Sequence, residues 1–198
     1  DSHSGSTWSV GSGGTGSAAS AAHPGPTRDD AVQFLEGDNK KAGQLTCTAS
    51  CYGSDAEAET AGANRYLGPA LLAQREVTWL VYKLPDGSYS YTYGALSSLR
   101  ATQQALPSIM YNYALMSAGH IHWDSNHKFS RQDWRLITQD QRHGPLGITL
   151  YLGTADRRLQ YATPDYARQF GEVRGAMFLP PATNFPGMVV PDVTLKDT

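Results

Sequence analysis

The sequence predicts one layered domain of the α+β class, in which a mixed β-sheet is flanked by helices. Three observations lead there. A chain of 198 residues is long enough for one domain with a real core and too short for two comfortable ones. Two β-rich runs, Glu76–Leu84 and Tyr89–Tyr93, bracket the turn Pro85-Asp86-Gly87-Ser88 and read as a hairpin. Runs of helix formers alternate with apolar runs along the rest of the chain, the signature of helices and strands packed in layers.

Taken in order, residues 1–27 are Gly, Ser, Ala and Thr with scattered Pro. Such a stretch cannot bury enough surface to offset its ordering entropy and reads as a flexible linker. The chain begins at Asp1 rather than Met, and a linker at the front predicts attachment to an upstream region. The domain proper is expected over 28–178. Asp29-Asp30-Ala-Val-Gln-Phe-Leu35 opens a helix with acidic residues at its positive end. Ala56 to Gln74 is rich in helix formers, although Gly68-Pro69 should divide it. After the hairpin, whose Tyr89, Tyr91 and Tyr93 alternate with small polar residues like a half-buried strand, a β run extends from Asn112 to Trp123. Ser130 to Gln141 reads as helix, with Trp134, Leu136 and Ile137 as packing residues. Gly147–Leu152 and Arg158–Tyr161 read as two more strands joined by a polar turn. From residue 179 to 198 the chain carries Pro180, Pro181, Pro186 and Pro191, and an extended tail along the domain is expected.

Composition narrows the function classes. The formal net charge of −2 gives no general pull towards nucleic acid or an anionic membrane, so neither is expected as a partner. No run approaches 18 consecutive apolar residues, and the first residues lack the basic and apolar segments of a signal peptide. The two cysteines, Cys47 and Cys51, could close a small disulfide loop, which would favour an oxidising compartment. They could also be two metal ligands or two reduced thiols.

The segment with chemical content is Gly119-His120-Ile121-His122 followed by Trp123–Phe129 and Ser130-Arg-Gln-Asp133. Histidines at i and i+2 of a strand point to the same side, so both imidazoles can reach one cation. Zinc favours nitrogen ligands, and a catalytic zinc needs one further protein ligand and an open position for water. Asp133 can be that ligand if the seven residues 123–129 loop back, with Ser130 capping a helix that carries it. Of the five glutamates, Glu76 alone stands directly before a strongly apolar strand. It is the candidate general base beside a water whose pKa a metal lowers to roughly 7. His127, inside the connecting loop, reads as a surface residue or an adventitious ligand, and His143 as a helix C-terminal residue.

His-x-His, seven residues, Ser-x-x-Asp resembles the JAMM motif of the JAB/MPN metalloproteases, which His120, His122, Ser130 and Asp133 match without a gap. More narrowly, the chain resembles the DUF4329 domain found at the C-termini of bacterial Rhs-type and other polymorphic secreted toxins. Arg75-Glu76 before a strand, the Asp86-Gly87 hairpin with its Tyr-rich strand, Phe129-Ser130 and Tyr151-Leu-Gly-Thr154 carry that likeness. The resemblance covers residues 56 to 165. It implies a curved sheet related to the cytidine-deaminase arrangement, zinc as cofactor, metal ligands His120, His122 and Asp133, and Glu76 as catalytic acid/base. It also implies Ser130 as an oxyanion donor. The expected activity is hydrolysis of an amide bond in a peptide or protein substrate, by an effector or toxin delivered from a larger secreted protein. An immunity protein covering the cleft would be its partner. Ile121 and Trp123 stand where the family has other residues, and Thr154-Ala-Asp-Arg157 replaces its usual Thr-Pro-Asp-Gly turn. Two other classes stay in view: a catalytically silent MPN-like binding module, and a hydrolase of a non-peptide substrate. For the latter, the basic stripe of a nuclease and the paired-cysteine zinc signature of a nucleobase deaminase are both missing.

Overall fold

The computed structural model describes residues 25–96, 112–139 and 147–197. The linker up to residue 24 and His143 lie outside them. Helix α1 (Arg28–Asn39) starts where Thr27 and Asp30 form a reciprocal capping box: Asp30 N–H donates to Thr27 Oγ1, and Thr27 N–H donates to Asp30 Oδ2. Helix α2 (Asp55–Ala73) is capped by Ser54, whose Oγ accepts from Glu57 N–H, and it stops at Gln74 in the left-handed region. The break expected at Gly68-Pro69 does not occur, and α2 runs through Pro69. Proline deprives the ladder of one N–H, but Tyr66, Leu67, Ala70 and Ala73 around it are buried in the core. Packing on both sides of the proline outweighs its local penalty.

The strands are β1 (Val77–Lys83), β2 (Tyr89–Tyr91), β3 (Ala114–His122), β4 (Thr149–Thr154), β5 (Leu159–Ala162), β6 (Glu172–Arg174), β7 (Met177–Leu179) and β8 (Met188–Val189). Six of them form one sheet in the order β2-β1-β3-β4-β5-β8, while β6 and β7 pair as a separate hairpin not expected from the residues there. Neighbours are antiparallel except β3 and β4, which run parallel with His120 opposite Leu152 and His122 opposite Thr154. The sheet is therefore mixed, and the chain is an α+β domain as expected. A parallel pair needs a crossover, and the segment between β3 and β4 holds helix α3 (Arg131–Ile137). That crossover brings α3 back over the sheet. A short helix α4 (Pro164–Arg168) follows β5, capped by Thr163.

Alternation along the strands sends side chains to two cores. On one face Val77, Trp79, Val81, Ile121, Tyr151 and Leu159 pack beneath α1 and α2. On the other, Leu80, Ala118, Leu150 and Leu152 pack against Phe129, Trp134, Ile137 and Ala167. The C-terminal tail belongs to these layers: β8 extends the sheet, Phe185 is buried on Phe129, and Leu195 is buried beside α2. Its prolines still keep it from forming a longer element. No helix among the described residues is long and apolar enough to cross a membrane.

Cys47 and Cys51 are joined in a disulfide. They sit in a segment that runs along the edge strand β2, with Leu45 bridged to Thr92 and Tyr52 to Tyr89, and with Cys47 N–H and Cys51 N–H donating to Ser90 Oγ and Ser88 Oγ. The segment satisfies an edge that would otherwise be open. A loop this short removes about 2 kcal/mol of unfolded-state freedom. Reduction, or Cys47→Ser with Cys51→Ser, should therefore lower Tm by about 4–8 °C. Calorimetry with and without a thiol reductant checks it, and an unchanged Tm would show that the β2 pairings alone hold the segment.

Candidate metal centre

Both histidines lie at the C-terminal end of β3, on the face away from α2. Their rings are 4.8 Å apart, edge to face. His120 is buried and His122 half-buried. His120 Nδ1 is 2.9 Å from the Tyr151 carbonyl on the neighbouring parallel strand, and His122 Nδ1 is 3.1 Å from the Asn126 carbonyl. A carbonyl can only accept, so each neutral ring carries its proton on Nδ1 and presents an unprotonated Nε2. His120 Nε2 is buried without a hydrogen-bond partner, an arrangement that costs stability unless something else fills the role.

Glu76 stands immediately before β1, where Val77 pairs with Ile121, so the β1–β3 register delivers it beside the histidines. One ligand atom from each of Glu76, His120 and His122 lies within 4.8 Å of the others. Among the described residues this is the group of three such side chains that could hold a metal ion. The loop from His122 to Phe129 turns on two side-chain contacts, Asn126 N–H to Asp124 Oδ1 and Lys128 N–H to Asn126 Oδ1. It closes on Phe129, which exchanges two backbone hydrogen bonds with Phe185 and stacks on its ring. Ser130 then caps α3: Asp133 N–H donates to Ser130 Oγ at 3.1 Å and Ser130 N–H donates to Asp133 Oδ2 at 2.8 Å. The same Oδ2 is 3.5 Å from His120 Nε2.

Asp133 therefore reaches His120, while the carboxylate inside the compact three-membered group is that of Glu76, the residue expected as base. His127 lies at the rim, 3.5 Å from Asp156, outside that group. Trp134 donates its indole N–H to the Ala167 carbonyl and packs on Phe178, a structural role; Trp123 is exposed. Of the tyrosine stripe, Tyr91 is buried in the core beneath α2.

The electrostatics follow from this crowding. Burial opposes a charged His120, but the Asp133 carboxylate and, less strongly, Glu76 hold its pKa above the ordinary value. His122 is pushed down to about 4 by burial and by repulsion from His120. Asp133 is held down to about 2: burial works against the anion, and His120 with the Ser130 N–H more than offsets it. Glu76 is exposed as a residue, yet partial desolvation of its carboxyl and then Asp133 and Asp124 raise its pKa, against the pull of His120.

No family model, curated protein or solved structure matches the chain. The fit of a metal therefore rests on the donors themselves. Two imidazoles whose Nδ1 atoms are tied to backbone carbonyls, one of them with a buried, partnerless Nε2, next to carboxylates are what zinc takes. The carbonyls behind them are the outer contacts that normally fix a ligating histidine. Sequence reading missed those contacts because they are main-chain atoms: nothing in the side chains at 126 or 151 marks them.

Proposed function

We propose that this chain is a zinc-dependent hydrolase of amide bonds, a metallopeptidase or isopeptidase of the JAMM type on a JAB/MPN-like sheet. One observation carries the reading. Both Nδ1–H groups are tied to backbone carbonyls, so both free ring nitrogens are committed to the space beside Glu76. His120 and His122 would hold the ion with a carboxylate from Asp133 or Glu76. When bound, zinc supplies Lewis acidity towards a carbonyl oxygen and towards water.

The chain's own residues supply the rest. Glu76, raised in pKa, is a better proton acceptor than an ordinary carboxylate and can return the proton to a departing amine. Ser130 Oγ already accepts from Asp133 N–H, which leaves its own O–H to donate to an oxygen that gains charge. Asp133 holds its charge across the whole physiological range and keeps the site anionic. The resemblance to toxin-borne domains supports a role as a secreted effector countered by an immunity protein, and the disulfide agrees with passage through an oxidising compartment.

The deciding experiment is a metal analysis paired with an amide-hydrolysis screen before and after chelation. Protein purified without chelator should hold about one zinc per chain, and chelation should abolish cleavage until zinc is restored. Cleavage that survives complete metal removal would overturn the reading.

A further inference from the structure

On the opposite face of the sheet, α2 is joined to the strands by a buried polar network that takes no part in the metal centre. Ser117 Oγ on β3 lies 2.5 Å from Asp55 Oδ1 and 2.7 Å from Glu59 Oε1, both on α2. Trp79 Nε1 on β1 donates to Glu59 Oε2 at 2.8 Å, and Tyr151 OH on β4 donates to Asp55 Oδ2 at 3.3 Å. Glu59 is fully buried, and a Cβ on Gly119, next to His120, would run into its carboxyl and the Trp79 ring.

Counting protons fixes the direction of every bond. The serine hydroxyl has one hydrogen and two short contacts to carboxyl oxygens, so it donates to one and must accept from the other. An indole N–H only donates, so Glu59 Oε2 is an acceptor and any proton on Glu59 resides on Oε1. Asp55 is the better anion: it is half-buried, it opens α2 where the helix dipole favours negative charge, and it accepts from Tyr151. The chain of donation is therefore Glu59 Oε1–H to Ser117 Oγ–H to Asp55. We propose that Glu59 is stored as a neutral carboxylic acid, which makes the union of α2 with the sheet a pH-sensitive device, tight in acid and loosened in alkali.

The surroundings agree. Burial pushes Glu59 well above the usual carboxyl range and the Asp55 charge adds to it, against its hydrogen bonding with Ser117 and Trp79. Asp55 is itself raised by burial, less strongly. The other charged groups packed on α2 are engaged further along. Asp38 of α1 pairs with Arg65 and Tyr66, and Tyr91 of β2 lies by Arg65. Tyr161 of β5 faces the network only through its stack on Tyr151. An ionised Glu59 would thus confront Asp55 across one hydroxyl, with no cation among the described residues paired to either.

The folded protein holds this proton more tightly than the unfolded chain. The stabilisation is therefore complete below the unfolded value of about 4.3 and is lost as pH rises towards the raised folded value. Glu59→Gln keeps an acceptor for Trp79 and a donor for Ser117 but cannot ionise. Melting of the full chain, with chelator present in both samples, is compared at pH 5 and pH 9. Wild type should lose at least about 3–5 °C more than the variant over that interval, the change a tenfold shift in proton affinity gives for a domain of this size. The pH slope is the reading, because the extra amide hydrogen can lower Tm at all pH values. Independently, the chain has five glutamates, few enough to resolve their carboxyl carbons by NMR. Glu59 should show the shift of a protonated acid at pH 7. Equal slopes, or a Glu59 carbon with the shift of a carboxylate anion, would overturn the proposal.

Discussion

His122→Ala should leave a folded protein that no longer holds stoichiometric zinc. The side chain is half-buried and its hydrogen bond is to one loop carbonyl, Asn126, so its removal opens little space in the core. A zinc ligand, by contrast, contributes much more to affinity than the roughly 10–100-fold lost when a hydrogen-bond partner behind a ligand is removed. The wild type should gain stability from zinc in proportion to RT ln(1 + [Zn]/Kd), about 2.7 kcal/mol at a hundredfold excess over Kd, and the variant should gain almost none. Elemental analysis after dialysis, with Tm measured against added zinc, reads both effects. Retention of one zinc per chain by the variant would remove His122 from the site. The pH dependence has a definite sign. His122, held down to about 4, is already unprotonated at neutral pH. Burial lowers His120, but Asp133 and then Glu76 outweigh it and hold the residue above its ordinary value. Zinc needs the unprotonated His120 ring, so affinity should fall as pH drops through that residue's range.

The sequence was most legible where one local rule decided the outcome. The Asp86-Gly87 turn between β runs placed β1 and β2, alternation at His120 and His122 placed both rings on one face, and Ser130-x-x-Asp133 announced a capping box that the structure contains. Legibility failed where distant packing decided. Pro69 reads as a break, but the buried neighbours that carry α2 across it are assembled from other strands. The prolines after 179 read as a tail, but Phe185 belongs to the core because Phe129 waits for it on the far side of the sequence. In the site, the side chains were visible and their partners were not. The carbonyls of Tyr151 and Asn126 carry no side-chain signal, and the closeness of Glu76 to both imidazoles arises from the β1–β3 register. Glu59 passed unnoticed for a related reason: on paper it is one more acidic residue in a helix, and only Trp79, Ser117 and Asp55 closing on it make it unusual.

Glu76→Gln should separate a catalyst from a binding module on the same scaffold. An amide in place of the carboxyl keeps size and shape but cannot carry a proton away from water or return it to an amine. A positioned general base is worth roughly 10²–10⁴-fold, so kcat should fall by that factor with KM little changed. Because Glu76 also lies within ligand distance of both histidines, zinc content must be measured on the same sample. If zinc stays near one per chain while turnover collapses, Glu76 is the proton carrier and Asp133 completes the ligand set. If zinc is lost along with turnover, Glu76 is a ligand, and the proton must be carried by another group. A silent binding module would show neither change in partner affinity nor any turnover to lose. The carboxyl's raised pKa sharpens the test: partial desolvation, Asp133 and Asp124 lift it against His120, so the acid limb of the wild-type rate should sit above the ordinary glutamate range. Glutamine should abolish that limb along with most of the rate. A variant that cleaves at the wild-type rate would exclude Glu76 from the chemistry.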